Sequence, residues 1–347
     1  MYDLSSGSSG YFDDYHNSRF HALDIQCKQR LLISCYLLDQ QHATLFGRQM
    51  TTCFAGTAED LPFPRSQLWW DAIDEQQRVA LNESHVDTVS QVLAGLKLEP
   101  SGASSYDTFQ SMLLVASSLD MTSDSSYGAQ MGTEISDILS VTEQSLRLSL
   151  ATHTFQLCKL TPIRDLLAVA GESWVMAEKL GSQAEYTAAQ IESRQWAKGN
   201  TDPSLGFGMY TSQTGVDQAM EHALKILEIH RNQPKTGLLF QEWAVYLASV
   251  VIWARAYVTS RETPQIAVPN SAQPRRSSYE LEQAFSMILA GGANSHIGLE
   301  EAMVVLLWSK VKIERVDIPH NCGITNGALD VLGKLITRGS EDGWFGS

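Results

Sequence analysis

Histidine, cysteine and carboxylate side chains supply most metal and acid–base chemistry, and what they can do depends on how the sequence groups them. The nine histidines stand at 16, 21, 42, 85, 153, 222, 230, 296 and 320, with no i, i+4 pair that would hold a metal from one helix face. The five cysteines, at 27, 35, 53, 158 and 322, form no CxxC pair, so their spacing describes neither a zinc cluster nor a disulfide framework. On one helix Cys27 and Cys35 would be separated by roughly 12 Å of rise, beyond the roughly 7 Å that a disulfide spans between Cα atoms. Idle thiols and a reducing compartment fit this pattern. HExxH, the Walker loop, GxSxG and GxGxxG do not occur in the sequence. No residue is assigned a catalytic role, and the expectation is that the chain is not an enzyme.

Weaker constellations remain. Asp13 and Asp14 resemble part of the acidic magnesium motif of terpene cyclases, but position 17 is Asn and the pair sits in a Ser/Gly/Asp-rich start, where solvated tail charges are the simpler account. An all-α enzyme of isoprenoid type, the rival reading, would need a second acidic motif facing the same cavity. Trp243, Tyr246, Val250, Trp253 and Tyr257 form an aromatic stripe at helical spacing. Such a stripe could wall an apolar ligand pocket, although packing of a central helix is the commoner use. Arg275-Arg276-Ser277-Ser278 has the basic, serine-containing pattern of a kinase substrate just ahead of a helix. Phosphate on Ser277 would meet the unpaired N–H groups of that helix start. His153 shares an apolar stripe with Leu146, Leu150 and Leu157 and reads as a core histidine; Glu221 and His222 fall opposite the apolar face of their helix and read as solvated.

Helices are the scaffold on which these residues stand. From Val216, the residues Ala219, Met220, Ala223, Leu224 and Leu227 continue one apolar stripe, with Thr214 and Asp217 as a capping box at its start. Thr161-Pro162 reads as an N-cap followed by proline at the first helical position, opening a helix through Ile163, Leu167, Ala170, Trp174 and Ala177 to a stop at Gly181. Ser182 with Glu185, and Ser277 with Glu280, are further capping boxes, the second opening a helix that Gly291 and Gly292 close. Helices are also expected over 19–46, 71–95, 105–120, 132–160, 237–260, 298–316 and 325–338. Linkers rich in Ser, Gly, Pro, Asn or Thr run over 99–104, 121–132, 199–212 and 261–277. No alternating β-period and no fixed-length repeat appears, which disfavours a regular helical-repeat scaffold. The expected fold is all-α: an irregular multi-helix bundle of about ten helices with no significant sheet. Residues 1–18 are expected to be a disordered tail and 19–347 a helical domain.

Composition limits the partners. With 44% hydrophobic residues the chain can bury a sizeable core, and 39 acidic against 25 basic residues give a net charge of −14, which repels a phosphate backbone. A stand-alone DNA binder is disfavoured. The N-terminus has neither the basic nor the apolar region of a secretory signal. The most apolar stretch, 238–258, carries Gln241, Glu242 and Arg255, leaving an uncharged run from Trp243 to Ala254 that suits a buried core helix rather than a membrane span.

The segment Arg30-Leu-Leu-Ile-Ser-Cys-Tyr-Leu-Leu-Asp-Gln-Gln-His-Ala-Thr-Leu-Phe-Gly-Arg48 is apolar nearly all round its helix. It is similar to the signature of the fungal-specific transcription factor domain, the middle homology region, with the matching positions Arg30, Tyr36, Leu38, Asp39, Gly47 and Arg48. Leu61-Pro62-Phe63-Pro64 through Leu68-Trp69-Trp70 resembles the segment that follows that helix in the family. Trp243 to Tyr257 and Leu329 to Trp344 resemble, more loosely, a tryptophan-bearing helix and the closing segment of the zinc-finger-associated branch. On this resemblance 19–100 corresponds to the end of the middle homology region and 132–347 to the C-terminal helical region.

The resemblance implies a regulatory domain of a nuclear transcription factor for RNA polymerase II genes, with other regulatory proteins as partners and no membrane. Zinc is expected only in a DNA-binding module absent from this sequence, so the chain is expected to be N-terminally truncated, to need no cofactor itself, and to reach DNA only through that module. Loss of upstream neighbours would expose apolar surface on the helix over 19–46, favouring a homodimer or aggregation. On that helix an unpaired Asp39 carboxylate would be costly, so a cation or an N–H must meet it, with Arg30 and Arg48 the nearby candidates and Gly47 turning the chain in a left-handed conformation.

Overall fold

Between Tyr11 and Phe46 the sequence has no glycine or proline, and a single helix, α1 (Ser9–Phe46), runs through it. It begins ahead of residue 19, the expected start. The computed structural model describes residues 9–51, 61–81, 87–98, 106–120, 145–171, 174–175, 178–179, 181–199, 213–233, 238, 240–262, 277–291, 297–315 and 323–345, with side chains in α1 from Asp24 onward. Among the described residues there are thirteen helices and one ladder of two-residue strands, an all-α fold. The chain divides into two compact units: residues 1–42 with 50–142, and residues 43–49 with 143–347.

In the first unit, α1 is followed by α2 (Gln67–Asp71), α3 (Glu75–Ala80), α4 (Val89–Leu98) and α5 (Thr108–Asp120). Its core comprises Ile33, Tyr36 and Leu37 of α1, Leu61, Val89, Leu93 and Leu96, and Met112 to Ala116 of α5. The single helix expected over 71–95 is instead divided between two short ones, α3 and α4, with α2 ending at Asp71. Capping explains the breaks. The Gln77 N–H donates to Asp74 Oδ1 at 2.9 Å, starting α3, while Thr88 and Gln91 close a reciprocal box that starts α4. Just before α4, the Val89 N–H donates to the Leu61 carbonyl at 2.9 Å and the Phe63 N–H to that of Asp87 at 2.7 Å, an isolated antiparallel bridge at Pro62 and Thr88.

The second unit holds α6 (Ser145–Lys159), α7 (Ile163–Ala170), β1 (Trp174–Val175), β2 (Glu178–Lys179), α8 (Gln183–Lys198), α9 (Gln213–Asn232), α10 (Gln241–Glu262), α11 (Ser278–Gly291), α12 (Leu299–Glu314) and α13 (Gly323–Arg338). The apolar run of α10 is its axis: every side chain from Trp243 to Ala254 is buried, against α6, α7, α8, α9, α12 and α13. The helix expected to open with Thr161 as its cap starts one residue later, with Pro162 as N-cap and no side-chain cap bond, and it does not reach Gly181. Gly171 takes φ 104° and its N–H returns to the Leu167 and Ala168 carbonyls, ending α7 before Trp174, which pairs in the β-ladder. The Ser182–Glu185 and Ser277–Glu280 caps are formed, with Glu185 reaching the Gly181 N–H. Helix α9 starts one residue before Thr214, so that residue lies within its first turn. The expected helix over 132–160 is described from Ser145 onward.

Candidate functional site

Helix α1 carries most of the signature residues. Tyr36 is fully buried, whereas Leu38, two residues on, is 59% exposed. Asp39 Oδ2 accepts hydrogen bonds from the Thr51 N–H at 2.9 Å and its hydroxyl at 2.8 Å, so an N–H and an O–H, rather than Arg30, meet the carboxylate. Gly47 has φ 61°, and the Arg48 N–H donates to the Ala43 carbonyl at 2.8 Å, a six-to-one closure of the helix end. A Cβ on Gly47 would lie 3.0 Å from the Arg164 backbone nitrogen. The position therefore needs glycine twice, for its torsion and for this close approach.

Arg30 draws the two signature segments together. Its Nη2 donates to Gln67 Oε1 at 2.7 Å, and its guanidinium carbon lies 5.1 Å from the ring centre of Trp70 and 5.0 Å from that of Phe109. Cation–π contacts of this kind contribute about 0.5–2 kcal/mol. Trp69 stands edge-on to Trp70 and receives the Arg78 guanidinium, 5.3 Å from its centre. The Gln67 N–H donates to Asp107 Oδ2 at 2.6 Å, and Gln110 Nε2 to the Pro64 carbonyl at 2.8 Å, tying this segment to the start of α5. Leu61 is buried and Pro62 half-buried. Gln67, Asp107, Phe109 and Gln110 were not among the residues singled out in the sequence; Asp107 and Gln110, three apart, have the spacing of a cap.

The aromatic stripe of α10 lies against the chain's own groups. Trp243 Nε1 donates to the Leu45 carbonyl at 3.3 Å, with its ring 4.9 Å from Phe46 and 4.8 Å from Tyr246. Trp253 Nε1 donates to the Gly339 carbonyl at 3.1 Å and the Tyr257 hydroxyl to that of Glu341 at 2.8 Å. Trp344 and Phe345 cover Trp253 at 5.4 and 5.7 Å between ring centres, and Phe345 also meets Tyr257. The N–H and O–H ends of these buried rings thus land on backbone carbonyls.

Comparison adds no relative. No family model, no curated protein and no solved structure matches this chain.

Two histidine contacts were not legible from spacing. His153 of α6 and His222 of α9 face each other with their Nδ1 atoms 2.9 Å apart, so His222 is half-buried against another helix, while Glu221 is exposed. One ring must donate and the other accept, which requires at least one neutral imidazole. Burial, then Lys225, pushes His153 down to about 4; burial, then His153 itself, does the same to His222. His230 takes Gln241 Nε2 on its Nδ1 at 2.9 Å and stands perpendicular to the Trp308 ring, and burial with Lys312 lowers it to about 4. Beside it, burial would raise the Glu282 carboxyl, but bonds from Lys312, Trp308 and Arg231 hold it below the usual range. Among the described residues no three His, Cys, Asp or Glu side chains are arranged to hold a metal, and no helix is long and apolar enough to cross a membrane. Cys27 and Cys35 are exposed free thiols; Cys158 is buried, and burial pushes its thiol up. The side chains of Asp13 and Asp14, with Arg275 and Arg276, lie outside the described residues, as does Ala177. Ser277 and Ser278 are both exposed at the start of α11.

Proposed function

We propose that this chain is a regulatory, protein-interaction module of a fungal transcription factor acting on RNA polymerase II genes, with other regulatory proteins as its partners and the nucleus as its place of action. DNA would be read by a zinc-dependent module that this sequence does not contain, and zinc would belong to that module alone. The carrying observation is the outer face of α1: Cys27, Leu31, Cys35 and Leu38 recur at steps of four, four and three on one helix face and are exposed, Leu31 by 65% and Leu38 by 59%. Aliphatic side chains left in water on a helix that resembles a regulatory signature favour a contact surface. Burying one such leucine against a partner contributes about 1.5–3 kcal/mol.

The test is a reporter assay in a fungal cell with the full chain fused to an unrelated DNA-binding domain. Transcription should shift, up or down, relative to the DNA-binding domain alone, and the double variant Leu31→Glu, Leu38→Glu should abolish the shift while keeping helical circular dichroism. Loss of both leucine contacts corresponds to a drop in partner affinity of about a hundredfold or more. A fusion that leaves both activation and repression reporters unchanged overturns the reading.

A further inference from the structure

The Arg-Arg-Ser-Ser motif presents two adjacent hydroxyls, and their surroundings differ. Ser277 is the cap of α11: its N–H donates to Glu280 Oε2 at 2.7 Å and its Oγ accepts from the Glu280 N–H at 3.3 Å. Ser278, the first residue of α11, instead has its Oγ 3.1 Å from the Nη2 of Arg315, the C-cap of α12. We propose that Ser278 is a phosphorylation site for a basic-directed protein serine kinase, and that Arg315 receives the phosphate. By sequence alone, Arg275 and Arg276 stand three and two residues before Ser278, and the exposed Tyr279 follows it. Two arginines at that distance with an apolar residue after the serine suit a kinase whose substrate groove is acidic with an apolar seat beyond it.

The charges around the two serines select between them. A dianion on Ser277 would stand against the Glu280 carboxylate of its own cap, whereas one on Ser278 would meet the Arg315 guanidinium and the first-turn N–H groups of α11. Glu282, one turn on from Ser278, is already held by Arg231 at 3.1 Å and Lys312 at 3.0 Å, and Glu314 is held by Lys310. Access needs little unfolding, because residues 277–280 are all exposed and Leu281 is the first buried side chain of the helix. In the transfer, a lone pair of Ser278 Oγ forms the new bond to the γ-phosphorus of ATP. The bond from that phosphorus to the bridging oxygen breaks, ADP leaves with the electron pair, and the hydroxyl proton passes to the kinase's base. The product ties the start of α11 to the end of α12 more strongly than the neutral hydroxyl does.

Incubation of the full chain with a purified basic-directed kinase and magnesium ATP, followed by tandem mass spectrometry, tests this. One phosphate is expected, on Ser278; Ser278→Ala should remove it, Ser277→Ala should keep it, and Arg275→Ala with Arg276→Ala should slow labelling about tenfold or more. Phosphate on Ser277 in place of Ser278, or an unlabelled full chain beside either a labelled or an unlabelled peptide of residues 272–284, overturns the site. For the receiver, phosphorylation should raise the thermal midpoint of the chain by a few degrees, and Arg315→Ala should cancel that rise without slowing labelling. An equal rise in the Arg315 variant overturns its part.

Discussion

Helices α1 and α10, with 38 and 22 residues, are the two longest elements among the described residues, and both carry long aliphatic and aromatic runs, yet they use them oppositely. Around α10 six helices of its own unit close on every side, and its polar tips are taken up by carbonyls of residues 45, 339 and 341. Along α1, Ile33, Tyr36 and Leu37 enter the core of the first unit, while Leu31, Leu32, Cys35 and Leu38 stay in water. An apolar helix is therefore not by that fact a buried helix; burial depends on how many neighbours the fold provides. The same contrast holds for polar groups. The second unit dehydrates His153, His222 and His230, whereas the first meets Arg30 with aromatic faces and Asp39 with a backbone N–H.

The largest effect that would sharpen this contrast is Trp253→Ala. Loss of the ring and its bond to Gly339 should cost about 3–5 kcal/mol in urea unfolding, whereas Leu38→Ala on α1 should stay within about 0.5 kcal/mol. Equal losses would break the comparison. Acid comes next. The three histidines lie below their unfolded value of about 6.5, so the unfolded chain binds more protons between that value and about 4. Their stabilisation is complete above about pH 6.5 and is lost as pH falls toward 4, at up to about 1.4 kcal/mol per pH unit for each histidine and less for the coupled pair. Hydrogen exchange at pH 4.5 should accordingly loosen α9 and α10 before α4 and α5, and His153→Gln with His222→Gln should reduce the difference.

Two glycines set the smaller effects. Gly47→Ala, at φ 61° and 3.0 Å from the Arg164 nitrogen, should cost about 1–2 kcal/mol. Gly95 lies inside α4 with nothing within 4 Å of an added Cβ, so Gly95→Ala should raise the thermal midpoint, stabilising the first unit by about 0.4–1 kcal/mol. Destabilisation at Gly95 would mean that the open side of α4 is in contact in solution.

Local signals were legible where a short stretch of chain settles the outcome by itself. The capping boxes at Ser182 and Ser277, the left-handed Gly47 and the axial position of α10 depend on neighbours within a few residues or on a long apolar run. Competing local signals misled: Gly171 ended α7 ahead of the expected Gly181, and Asp74 and Thr88 divided the segment over 71–95. Pairings across the chain left no mark in spacing. His153 and His222 are 69 residues apart, Arg30 and Gln67 are 37, and Ser278 and Arg315 are 37.

Side-chain period, charge and turns of a few residues were enough to give the helical class, the acidic balance and the caps at Ser182 and Ser277 without reference to the fold. Which apolar faces are covered, which histidines are drawn away from water and which of two adjacent serines meets an arginine came from the packing of helices distant in the chain. Those outcomes depend on which helices become neighbours, and a helix's own residues do not encode the face its neighbour will present.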